Sequence, residues 1–104
     1  MIQLLPSRTP ELISAALHHM QMQTGMPARA SQSWGPASRV QTDADGQPIQ
    51  QYLTMLVRVT GGKFLLVRQI VDLERISRRL PTVIELNERA AQSVIRELEL
   101  EANE

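Results

Sequence analysis

Two apolar runs joined by a pair of glycines are the feature that most constrains the fold of this sequence. The first run, 49–59, alternates between apolar and polar residues, and its inward set is Leu53, Met55, Val57 and Val59. A period of two residues is typical of a β-strand. Gly61 and Gly62 follow, and paired glycines between two strands favour a two-residue hairpin turn. The second run, 64–71, is then the returning strand, although its periodicity alone also permits a helix beginning at Phe64.

Both faces of this hairpin are largely apolar. A two-residue turn places Val59 opposite Phe64 and Val57 opposite Leu66. A ribbon with two apolar faces is expected to be covered on both sides. In a chain of 104 residues we expect the second cover to come from a partner subunit, so the sequence predicts a homodimer. The surface expected to face a partner comprises Tyr52, Leu56, Leu65, Val67, Val83, Leu86, Ala90, Val94 and Leu98.

An N-terminal helix is predicted over about residues 10–23. Thr9 supplies a capping hydroxyl and Pro10 suits the first helical position. Apolar residues then recur at helical spacing, and Gly25 is a suitable end. That stripe consists of Ile13, Ala16, Leu17 and Met20.

Residues 26–39 are rich in Ser, Ala, Gly, Pro and Gln and have no clear period. They are expected to form a loop, a mobile arm or an irregular edge strand ending at Val40. Trp34 is the large residue of this stretch, and we expect it to hold the segment against the core. The following segment, 43–46, has the Asp and Gly residues of a tight turn.

Two further helices are predicted in the C-terminal third. Asp72 is a suitable cap for a short helix over 73–80, which Pro81 would end. Thr82 and Glu85 match a capping box, which predicts a long amphipathic helix over 83–100. Residues 101–104 are expected to be a frayed acidic tail. The predicted fold is therefore α+β: a helix, a two- or three-stranded antiparallel meander, a short helix and a long C-terminal helix.

Composition limits the class of protein. The chain has 104 residues, 42% of them hydrophobic, which suits one domain over 1–104 with a packed core. It has no cysteine, so disulfides and thiolate chemistry are excluded. Eleven basic and eleven acidic side chains balance, which does not favour a basic nucleic-acid-binding tail. Without a long apolar segment or a leader-like N-terminus, we expect no membrane association and a cytoplasmic location.

The motifs that would indicate catalysis fail on specific residues. His18 and His19 are adjacent, so they point about 100° apart on a helix and do not form a zinc-binding pair. Aligned as a calcium loop, the Asp-Ala-Asp-Gly segment has Tyr52 where a bidentate glutamate is required. A phosphate loop at Gly-Gly-Lys would need glycine at Val57 and Ser or Thr at Phe64. We therefore predict no catalysis, no metal and no cofactor.

Nucleic-acid binding is the alternative function. Hairpin cations followed by a short helix with arginines on one face would contact DNA phosphates. The candidate contacts are Arg58, Lys63, Arg68, Arg75, Arg78 and Arg79.

The predicted order of strand, short helix and long helix resembles that of ribbon-helix-helix repressors. In that family a strand from each subunit reads the major groove with its polar face. In this chain Leu65 and Val67 occupy one face, and Phe64 and Leu66 occupy the other. Such an apolar strand is expected to be buried rather than to read bases.

The function that the sequence favours is a non-catalytic protein-interaction module or small regulatory subunit. Surplus apolar surface supports it, as do Met20, Met22 and Met26 around Gly25. A DNA-binding regulator is the alternative.

Overall fold

The computed structural model describes residues 9–75 and 77–102, with the side chains of 77, 78, 101 and 102 outside that description. Within these residues, two helices and five strands form in the order α1 (Thr9–Thr24), β1 (Ala30–Thr42), β2 (Pro48–Val59), β3 (Phe64–Asp72), β4 (Ser77–Arg78), β5 (Thr82–Leu86) and α2 (Glu88–Ala102). No helix among the described residues has the length and apolar character needed to cross a membrane.

The strands form one antiparallel sheet, which confirms the α+β class, but the sheet has more strands than the two or three predicted. β1, β2 and β3 are neighbours in chain order. β4 and β5 both pair with the edge of β3 that faces away from β2. β5 lies along 64–68 and β4 along 71–72. Between them the amide of Arg79 still donates to the carbonyl of Ile70, at 3.0 Å. β4 and β5 are thus one returning strand with an interruption at residues 79–81.

The hairpin between β2 and β3 is confirmed, but its predicted register is wrong by one residue. The amide of Val59 donates to the carbonyl of Lys63 at 2.9 Å, which leaves a three-residue loop from Thr60 to Gly62. Leu56 therefore lies opposite Leu66. Because side chains alternate along a strand, a shift of one residue moves every β3 side chain to the other face.

Each face of the sheet is covered by a helix of the same chain. α1 packs on one face through Leu12, Ala16 and Met20, against a core that includes Leu65 and Val67. α2 packs on the opposite face. The buried residues beneath and on α2 are Leu56, Phe64, Leu66, Ala91, Ile95 and Leu98. The second cover that the sequence assigned to a partner subunit is therefore supplied by α2, and the apolar faces no longer argue for a homodimer.

The predicted short helix over 73–80 is wrong. The Asp72 carboxylate accepts hydrogen bonds from the amides of Glu74 and Arg75, at 3.0 and 3.2 Å. These bonds close a turn, and the chain then returns along β3 as β4. With this helix absent, the resemblance to ribbon-helix-helix repressors has no structural basis.

The predicted start of the C-terminal helix is also wrong. Thr82 and Glu85 belong to β5, and the helix begins after Asn87. The Asn87 Oδ1 accepts the amide of Ala90 at 2.8 Å, the bond expected of an N-cap residue. A strand at 82–86 supplies hydrogen-bond partners to the backbone groups at the free edge of β3. This tertiary pairing outweighs a local capping signal.

Two other predictions are confirmed. α1 occupies the predicted segment with one further residue at each end. Residues 43–46 form a turn, in which the Asp43 carboxylate accepts the amides of Asp45 and Gln47 at 2.9 Å. Of the three alternatives for residues 26–39, the irregular edge strand is the one that forms, but it extends to Thr42 and not to Val40. The Trp34 ring centroid lies 6.2 Å from that of Phe64.

Candidate binding cleft

α2 leaves part of its sheet face open, and a cleft of about 550 Å³ lies there. The sheet forms its floor, and the C-terminal half of α2 forms one wall through Val94, Glu97 and Leu98. The interruption between β4 and β5 forms the rim through Arg79 and Leu80. The volume lies in the range of ordinary ligand sites, about 300–1,000 Å³.

The register of the sheet explains which side chains reach the floor. Residues directly opposite one another on neighbouring strands share a face. One row crosses four strands and consists of Ala37, Thr54, Arg68 and Thr82. A second row, two residues further along the strands, consists of Arg39, Tyr52 and Ile70. Residues distant in sequence are thereby brought to one surface.

The buried side chain of Gln69 holds the backbone of the cleft rim in place. Its Nε2 donates to the carbonyl of Arg79 at 3.0 Å. The same Nε2 lies 3.4 Å from the Glu11 carboxylate on α1. The backbone of the interruption is therefore tied to β3 and α1, and this holds Arg79 and Leu80 at the mouth of the cleft.

Positive charge dominates the cleft. Arg39, Arg68 and Arg79 line it, and Glu97 is the acidic residue of the lining. Within the described part of the chain, the guanidinium groups of Arg68 and Arg79 form no ion pair. Guanidinium binds a carboxylate or phosphate through paired hydrogen bonds. Since aliphatic side chains lie beside these arginines, the cleft suits an anionic group attached to an apolar body.

Of the six cations predicted to contact DNA, Arg78 has its side chain outside the description, and the other five do not form one surface. Arg68 and Arg79 line the cleft, whereas Arg58 lies 5.5 Å above the ring centroid of Phe64. Lys63 pairs with the Glu85 carboxylate at 3.5 Å. The two remaining cations, Arg75 and Arg78, lie in the turn and in β4. The expected helical face shared by Arg75, Arg78 and Arg79 does not exist, because no helix forms there.

The predicted partner surface is also divided. Leu65 and Val67 are buried under α1, and Leu56 and Leu98 are buried under α2. The other five residues are half-buried: Tyr52, Val83, Leu86, Ala90 and Val94. Of the nine, the cleft includes Tyr52, Val94 and Leu98.

Sequence reasoning missed several residues of the cleft. Arg39 lies on β1, which had no assigned pairing, and Leu80 was placed at the end of a helix that does not form. Glu97 falls within the predicted helix over 83–100 but had no predicted binding role. An alignment of β1 against β2, which places Arg39 opposite Tyr52, is the signal that would have identified the second row.

Comparisons of the chain with protein-family models, with curated proteins and with solved structures find no match. The geometry of the cleft is therefore the basis for the functional proposal.

Proposed function

We propose that the chain is a non-catalytic protein-interaction module, an adaptor or small regulatory subunit located in the cytoplasm, whose cleft binds an acidic segment of a partner protein. The observation that carries the proposal is the position of Arg68 and Arg79, which face the cleft without an ion pair among the described residues. Leu80 stands beside them with 89% of its surface exposed. Together these three residues place positive charge and apolar surface at the mouth of the cleft.

A protein partner suits this combination of side chains. Arginine is enriched in protein interfaces, where its charge and its long aliphatic stem both contribute. The DNA-binding alternative receives no comparable support, since its basic helix is absent and Lys63 is engaged with Glu85. We therefore do not propose it.

A peptide-display selection tests the proposal. A phage library of random peptides is selected in parallel on the wild-type protein and on a variant carrying Arg68→Gln and Arg79→Gln. The wild type is expected to enrich peptides that combine Asp or Glu with an aliphatic residue. The variant is not expected to enrich them, because neutral amides do not pair with a carboxylate as guanidinium does.

Both arginines are exposed, so the double variant is expected to remain folded, with each substitution changing the free energy of unfolding by about 0.5 kcal/mol or less. Urea denaturation checks this control. Wild-type enrichment of peptides without acidic residues, or equal enrichment of acidic peptides on both proteins, would contradict the proposal.

The homodimer remains a separate prediction. Met22 and Met26 now support it, with 73% and 66% of their surfaces exposed near the end of α1. Light scattering coupled to gel filtration at high micromolar concentration is expected to give twice the chain mass of 11.7 kDa. A monomer at that concentration would contradict the prediction.

A further inference from the structure

We infer that the partner segment binds as an added β-strand on the outer edge of β5, with one acidic side chain directed into the cleft. This inference rests on the proposed function and specifies the conformation of the segment. It also predicts the spacing of two side chains within the segment.

β5 has an edge able to accept a strand. It pairs with β3 on one side, and no strand pairs with its other side in the described part of the chain. Its five residues include neither proline nor glycine. An edge with free amide and carbonyl groups is the site at which peptides add to a sheet.

The register places an added strand beside the arginines. Thr82 of β5 lies opposite Arg68, and Ile84 lies opposite Leu66 on the same face. A strand added to β5 would lie about 4.8 Å further out and continue these rows. Its residue beside Thr82 would face the cleft near Arg68 and Arg79. Its residue beside Ile84, which is 51% exposed, would pack on that side chain.

The opposite edge of the sheet is less suited to this role. β1 has three register irregularities along its length, and Pro36 lies in its middle. Bulges and proline are devices that keep an edge strand from pairing. Arg39 of the cleft lies on β1, but Ile84, Arg68 and Arg79 lie on the β3–β5 side of the sheet. Charge and backbone geometry therefore both favour β5.

The predicted sequence pattern is an acidic residue and an aliphatic residue two positions apart. Side chains on one face of a strand repeat every two residues. A helical segment in the cleft would instead present them three or four positions apart. The spacing among enriched peptides therefore distinguishes the two modes of binding.

The test uses an acidic peptide enriched on the wild-type protein in the selection described above. Each of its backbone amides is methylated in turn, and the affinity is measured by titration calorimetry. Strand addition predicts losses of about tenfold at alternate residues, since only every second amide faces β5. Affinity that is unaffected by methylation, or lost without a two-residue period, would overturn the inference.

A pair of serine substitutions provides the matched control, because serine removes the apolar side chain without adding charge. Ile84→Ser is expected to weaken the peptide about tenfold, whereas Val40→Ser on β1 should leave its affinity within about twofold. Equal effects of the two would also overturn the inference. If an acidic peptide binds through Arg68 without these signatures, strand addition fails and the proposed function stands. If the selection yields no acidic peptide, both fail.

Discussion

Replacing Leu56 with alanine is expected to lower the free energy of unfolding by about 4 kcal/mol. Leu56 lies on β2 within the sheet, and none of its surface is exposed. It packs with Phe64 and with Ile95 of α2 in the cluster that covers the second face of the sheet. Its truncation removes buried apolar area and leaves a cavity between two elements that are held by other contacts.

Leu80→Ala is the matched control for this prediction. Leu80 is 89% exposed, so its truncation is expected to change the free energy of unfolding by about 0.5 kcal/mol or less. Urea denaturation of the two variants measures both values. A loss below about 1 kcal/mol for Leu56→Ala would mean that α2 does not bury this face.

Gly35→Ala is expected to lower the free energy of unfolding by about 3 kcal/mol. Gly35 has a φ of +95°, which a side chain disfavours, and an added Cβ would lie 2.9 Å from the carbonyl oxygen of Thr54. It would also lie 3.2 Å from the backbone nitrogen of Ala37. The Thr54 oxygen belongs to β2, so that contact is relieved only by moving β1 away from β2, whereas the Ala37 contact requires a change in the backbone of β1 itself.

Gly46→Ala separates the conformational cost of a positive φ from the cost of the steric clash. Gly46 also has a positive φ, +80°, but an added Cβ would meet no atom within 4 Å. Only the conformational cost of about 1–2 kcal/mol is expected there. Thermal or urea unfolding of both variants gives the comparison. Equal losses at Gly35 and Gly46 would show that the close approach of β1 to β2 is not significant.

Local signals predicted the elements whose backbone hydrogen-bond partners are near in sequence. α1 begins at a threonine, continues with a helical stripe and ends before Gly25, and no other element competes for its residues. The β2–β3 hairpin follows from alternation around Gly61 and Gly62. Its register was missed because Thr60 also enters the loop, and one additional loop residue exchanges the two faces of β3.

The C-terminal third could not be predicted from local signals. Thr82 and Glu85 satisfy the rule for a capping box, yet their segment pairs with β3. Val83 and Ile84 are β-branched and suit a strand, but the sequence gives no direct sign that an edge of β3 lies close to them. Pairing between distant segments decided the structure here.

The cleft was only partly predictable for the same reason. Arg68 and Arg79 were recognised as candidate DNA contacts, Arg68 on the hairpin and Arg79 on a helix that does not form. Arg39 joins them only through the pairing of β1 with β2, and Glu97 only through the placement of α2 on the sheet. Binding surfaces assembled from four strands and a helix require the register of the whole sheet.

The two helices account for both apolar faces of the hairpin, and this changes what remains for a partner to bind. Of the nine residues that the sequence assigned to an interface, four are buried in the core and five are half-buried. What stays open is the cleft that α2 does not cover, together with the edge of β5 next to it. Charge and free backbone groups therefore replace apolar surface as the basis of the proposed interaction.

The most direct test of the cleft as the binding site is a titration of one enriched acidic peptide into three proteins: wild type, Arg68→Gln and Arg89→Gln. Arg89 is an exposed arginine on α2 that does not line the cleft, so its substitution removes the same charge elsewhere. We expect Arg68→Gln to weaken binding by about tenfold and Arg89→Gln to change it by less than about twofold. Equal affinity of the peptide for wild type and Arg68→Gln would contradict the account.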